Sequence, residues 1–167
     1  MLFGRRRRAT AVDIRTDRET YRPGDTVRAR VRLTPGADLP DPEIAVALLH
    51  ADTVREGGSS WTDSWAVDGR TELDARALRV DLVGVETRAD QVLTAERRAG
   101  VTVSGPVRLG PGAPRDLPFS LTLPPDLTPS LTTESWTARW VLHGVVDLPR
   151  REDAVGTRVV AVHDPRA

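Results

Sequence analysis

Tyr21-Arg22-Pro23-Gly24-Asp25-Thr26-Val27-Arg28-Ala29-Arg30-Val31-Arg32-Leu33 is the stretch on which the fold turns. From Val27 onward apolar and charged residues alternate, and successive side chains of an extended chain point to opposite faces. Val27, Ala29, Val31 and Leu33 therefore line a buried face, and Arg28, Arg30 and Arg32 a wet one. A slip of one residue would drive three guanidinium groups into the core, so the register is strongly specified. In front of the strand, Tyr21, Pro23, Gly24 and Asp25 make a structural turn, since proline fixes one φ and glycine permits the positive φ that other residues avoid.

The same period of two recurs on both sides. Val12 and Ile14 alternate with Asp13 and Arg15, Ile44, Val46 and Leu48 mark another strand, and Leu78, Val80 and Leu82 alternate with Arg79 and Asp81. Phe119, Leu121 and Leu123 alternate with Ser120 and Thr122 until Pro124-Pro125 removes two ladder donors. Trp140, Leu142, Gly144 and Val146 share one face of a further strand, and Val155 to Val162 form the last. Seven or eight strands with turn-rich spacers predict an all-β sandwich. Two stretches read less plainly. Thr71-Glu72-Leu73-Asp74 has the form of a helix capping box, which admits a short helical turn there, and residues 88–98 fit a strand, a helical turn or a solvated loop.

With 167 residues the chain suits one domain with a proper core. Lys plus Arg equals Asp plus Glu at 24 each, so no long-range field draws the whole molecule to nucleic acid or an anionic membrane. Every one of those basic residues is arginine; Lys, Asn and Cys are absent. That excludes a lysine Schiff base, a phosphate-loop lysine, an N-glycosylation acceptor, a disulfide and any thiolate chemistry. The lack of cysteine fits a cytoplasmic location, and no apolar run approaches the roughly 18 residues of a membrane span.

Four ordered segments resemble the N-terminal domain of the arrestin fold: Tyr21 to Val27 with its following strand, Leu78 to Glu86, Pro118-Phe119-Ser120-Leu121-Thr122-Leu123-Pro124, and Trp140 to Asp147 with the closing valine-rich strand. In style the chain is similar to the bacterial arrestin-like proteins grouped with sporulation-control proteins. The resemblance implies a single immunoglobulin-like β-sandwich over 10–163, between a basic tail at 1–9 and a short tail at 164–167. Residues 34–75 exceed what the family core needs and suggest an inserted hairpin. It also implies a non-enzymatic scaffold or adaptor that binds another protein. The lysines with which arrestins sense phosphate have no counterpart here.

The residues themselves offer few catalytic groupings. His50 and Asp52 lack a third ligand nearby, so no metal site is read, and no cofactor motif is present. His143, on the face opposite Trp140 and Leu142, reads as a surface residue. The tryptophans come as two pairs four residues apart. Trp136 and Trp140 are expected in the core, whereas Trp61 and Trp65 lie among Gly, Ser, Thr and Asp, which leaves open an aromatic platform for a carbohydrate or small ligand. Nucleic acid is not expected as a partner, because the arginines lack interleaved aromatics apart from Phe3 and Tyr21. The expected partner is a protein or peptide, acidic where it meets Arg28, Arg30 and Arg32 or the tail Arg5 to Arg8, with peripheral contact to acidic lipid a further possibility. Open sheet edges would also let an extended partner segment join by backbone hydrogen bonds.

Overall fold

The computed structural model describes residues 8–38, 73–89, 91–109, 114–149, 153–164 and 166. The inserted hairpin expected within 34–75, His50, Trp61 and Trp65 fall largely or wholly outside them. The described elements are all strands: β1 (Arg8–Thr16), β2 (Thr20–Tyr21), β3 (Thr26–Asp38), β4 (Leu73–Ala75), β5 (Ala77–Arg88), β6 (Gln91–Ser104), β7 (Val107–Leu109), β8 (Arg115–Thr122), β9 (Leu131–Thr132), β10 (Trp136–Asp147) and β11 (Ala154–Val162). These eleven exceed the expected seven or eight because β2, β4, β7 and β9 are too short to show a period of their own. Leu73 to Ala75, which the capping-box pattern made a candidate helical turn, is a strand paired with Val107 to Leu109. Residues 91–98 belong to β6.

Two main sheets face each other. The smaller runs β1-β3-β8, and the larger runs β2-β11-β10-β5-β6 with β9 beside the start of β10. Val12 and Ile14 of β1, Val27, Ala29, Val31 and Leu33 of β3, and Phe119 and Leu121 of β8 turn inward. They meet Leu78, Val80 and Leu82 of β5, Trp140, Leu142 and Val146 of β10, and Val160 and Val162 of β11 in one continuous core. The alternation of β3 is thus read correctly, with one difference: Arg28 and Arg30 are exposed, but Arg32 is half-buried.

Beneath β1, two glycines of the larger sheet stand side by side. Gly144 of β10 is paired with Gly156 of β11, and β1 crosses directly above them. A Cβ at Gly156 would lie 2.7 Å from the carbonyl carbon of Val12 and against its oxygen, so only glycine lets the two backbones come together.

The turn before β3 is tied on every side. Gly24 has φ of 85°, and the Asp25 amide donates to the Arg22 carbonyl at 3.0 Å, as a turn with Pro23 and Gly24 at its centre requires. Asp25 accepts from the Arg22 amide at 3.0 Å, and its own carbonyl accepts from the Leu123 amide at 2.8 Å, joining the turn to β8.

Tyr21 is buried and donates its hydroxyl to Asp17 Oδ1 at 2.6 Å. That hydrogen bond chiefly holds the Asp17 carboxyl below its ordinary value. Burial, then the same hydrogen bond, pushes the Tyr21 phenol up. Because the folded Asp17 value is the lower one, its stabilisation is complete above the unfolded value of about 3.9 and is lost as pH falls through the folded value. Tyr21→Phe keeps the packing and removes the donor. It should cost about 1 kcal/mol at neutral pH, after discounting for the exposure of Asp17, and flatten the acid-side loss of stability. Urea unfolding at a series of pH values checks this; unchanged acid-side curves would contradict it.

Candidate functional site

Among the described residues, three surface features bear on function. The first is the outer face of the smaller sheet. Alternation puts Arg15 of β1 beside Arg30 of β3, and Asp13 beside Arg32, while Ser120, Pro118 and Asp116 of β8 lie across from Arg28, Arg30 and Arg32. Arg15 is held by Asp13 at 2.9 Å. Asp13 being so engaged, Arg28, Arg30 and Arg32 form no ion pair with any described residue, and the face carries surplus positive charge.

The second is a buried polar group on the outer face of the larger sheet. Asp81 is 5% exposed and His143, its register partner on β10, is 3% exposed. This corrects the surface position expected for His143. Alternation places it on the outer face, but β5 and β11 flank it and Val141 and Val145 beside it are buried too. The Asp81 carboxylate accepts from Arg97 Nε at 2.9 Å and lies 3.3 Å from Arg79 Nε. A side chain at Gly100, across from Asp81, would collide with the Arg97 guanidinium and the Asp81 carboxylate. A buried carboxylate satisfied by two cations is a structural cluster rather than a poised acid or base.

The third is a cleft on the inner face of the larger sheet, beyond the cover of the smaller one. Its cavity of about 210 Å³ is lined by Gly84, Glu86, Thr94, Glu96, Ala138 and Trp140, with Arg98 and Thr128 at one wall. Trp140 belongs to the core, as expected, and satisfies its indole N–H by donating to the Thr128 carbonyl at 2.8 Å. Trp136, expected with it, is only half-buried. A Cβ at Gly84 would stand 2.9 Å from Trp140 Cζ3, so the glycine makes room for the ring. Arg98 is engaged by Asp126 at 2.8 Å. Sequence reading missed this cleft because Glu86 and Glu96 meet only through the β5–β6 register.

The edges are poor templates for an added strand. The β5–β6 ladder is irregular between Leu78 and Arg79, between Leu82 and Val83, and between Glu86 and Thr87. Just past β8, the Leu123 amide donates to the Asp25 carbonyl just before β3, so by alternation Pro118 of β8 occupies an outward position and offers no donor there. β1 packs against β11.

No protein-family model matches the chain, and no curated protein matches it. Among solved structures, the sporulation control protein Spo0M from Bacillus subtilis superposes with a TM-score of 0.62 at 18% identity, over 93% of this chain and 50% of that one. The fold resembles that of Spo0M. This chain spans about half the length of Spo0M, and at such identity the likeness concerns architecture alone. It agrees with the all-β sandwich expected from the sequence. A second structure, the alkylpurine DNA glycosylase AlkC of Pseudomonas fluorescens bound to DNA containing an abasic site analog, reaches a TM-score of 0.43 at 13% identity over 94% of this chain and 31% of that one; a likeness of that degree carries no argument. Among the described residues no helix is long and apolar enough to cross a membrane.

Proposed function

We propose that the chain is a non-enzymatic regulatory scaffold that binds another protein, and that the arginine face of the smaller sheet receives an acidic segment of that partner. One observation carries the reading: Arg28, Arg30 and Arg32 stand in a row with no ion-pair partner among the described residues, and Arg30 sits directly opposite Arg15. Like charges in register oppose each other at some cost in stability, and a retained cost of that kind is expected where a surface serves recognition. The likeness to a sporulation control protein supports a regulatory role, and the blunted edges favour contact through a face over addition of a strand.

A glutamate-rich peptide titrated into the labelled protein tests this. Binding should perturb the amides of β3 and β8, weaken as salt rises, and vanish in Arg28→Glu/Arg30→Glu/Arg32→Glu. Absence of binding at low salt, or binding unchanged in the triple variant, would count against the reading. Vesicles containing phosphatidylserine form the second arm; binding to vesicles but not to the peptide would reassign the face to a membrane surface.

A further inference from the structure

The cleft beside Trp140 has a chemistry opposite to that of the arginine face. Inward-facing positions alternate along β5, β6 and β10, which brings Gly84 and Glu86, Thr94 and Glu96, and Ala138 and Trp140 to the same side of the larger sheet. Register pairs Gly84 with Glu96 and Glu86 with Thr94, so the two carboxylates are diagonal neighbours across the β5–β6 ladder. Neither makes an ion pair with any described residue. The nearby cations do not neutralise them. Arg98 is held by Asp126 at 2.8 Å. Arg139 also lines the cavity, but it is paired with Val85, and by alternation its guanidinium belongs to the other face, where its Nε donates to Thr137 Oγ1 at 3.4 Å.

The floor between the carboxylates is apolar and fixed. Trp140 is nearly buried, held by Thr128, and packed over Gly84, while Ala138 continues the floor along β10. The wall carrying Thr128 is anchored as well, since the Ser130 amide donates to the Val162 carbonyl at 2.7 Å and the Ser130 hydroxyl accepts from the Val162 amide at 3.0 Å. A trough with Trp140 and Ala138 on its floor and two unneutralised carboxylates on its wall is complementary to a long side chain with a methylene stem and a cationic head. At about 210 Å³ the cavity falls short of the roughly 300 Å³ at which pockets for whole small-molecule ligands begin, and this size suits a single side chain. Between the two basic side chains, a planar guanidinium with its fork of donors can bridge two neighbouring carboxylates, whereas an ammonium acts as a point charge.

We infer that this cleft binds an arginine side chain of a partner protein, with the stem on Trp140 and Ala138 and the guanidinium between Glu86 and Glu96. The inference extends the protein-binding reading above. Its probe is basic where the other is acidic, and its residues are different, so the two fail separately.

The probe is the blocked peptide acetyl-Ala-Ala-Arg-Ala-Ala-amide, titrated into the labelled full chain and followed at the Trp140 indole N–H and the Gly84 amide. Its twin carries citrulline, a neutral isostere, in place of arginine. The arginine peptide should shift both signals saturably and the citrulline peptide should not. Glu86→Gln and Glu96→Gln should each weaken binding by about tenfold, as expected for loss of a charge-assisted hydrogen bond. Both substitutions preserve size at positions that are not fully buried, and an otherwise unchanged amide spectrum will verify the fold. Equal response to the two peptides, no response to either, or undiminished binding in the Glu86→Gln/Glu96→Gln double variant would overturn the inference.

Discussion

Gly156→Val should leave little folded protein. Any side chain at this position begins against the Val12 carbonyl, with its Cβ 2.7 Å from the carbonyl carbon and 2.8 Å from Val12 Cβ. The obstruction is largely main chain, which cannot step aside by changing rotamer. Relief requires β1 to lift from β11, and β1 carries Val12 and Ile14 into the core. Overpacking of side chains alone costs about 1–3 kcal/mol; displacement of a strand adds lost burial, so a total above about 3 kcal/mol is expected. Gly144→Ala is the control. Its Cβ would meet Ile14 Cδ1 and Val12 Cγ1, both at 3.2 Å, and those are side-chain ends that can shift, so about 1 kcal/mol should be lost. Thermal unfolding followed by circular dichroism distinguishes the two. A Gly156→Val protein that melts near the wild type would mean that β1 does not cross there.

Val31→Asp should be of similar severity for a different reason. Val31 is 0% exposed at the centre of β3, between Ile14 on one side and Leu117 on the other. It lies within a cluster of buried apolar side chains, and an isolated buried carboxylate there costs several kcal/mol even when it protonates to escape its charge. One residue earlier, Arg30→Glu reverses a full charge on the wet face. It should change stability by no more than about 0.5 kcal/mol, and because it relieves the opposition to Arg15, the change should favour the folded state. Equal melting temperatures for the two variants would contradict the register of β3.

The residues that were legible in the sequence are those where one face is dry and the other wet. β3 shows this throughout its described part, as do β8 and the first half of β5, and their order was enough to suggest the sandwich. β6 was not legible. Its stretch Leu93-Thr94-Ala95-Glu96-Arg97-Arg98 is polar on both sides because it extends past the smaller sheet, and where neither face is covered there is no alternation to read. Leu73 to Ala75 misled for a related reason: a three-residue strand has no period, and Thr71 to Asp74 satisfied a local helix-start pattern in the absence of anything stronger. His143 was assigned to the correct face but the wrong environment, since periodicity says which way a side chain points and nothing of what flanks it. The cleft lay furthest from view. Glu86 and Glu96 become neighbours only after irregularities in pairing have shifted one strand against the other, and no local pattern encodes that sum.

Those irregularities bear on how the molecule behaves among its own copies. β6 spans Gln91 to Ser104, long enough to zip against an identical edge if it were straight. Its pairing with β5 is instead cut into the runs Arg79 to Leu82, Val83 to Glu86, and Thr87 to Arg88. Each interruption rotates the donors and acceptors that follow it, so two such edges brought together would align over one short run and diverge at the next. Pro118 does the same for β8 by deleting a rung. Among the described residues, β6 and β8 therefore present long edges without a continuous ladder for an identical copy to extend.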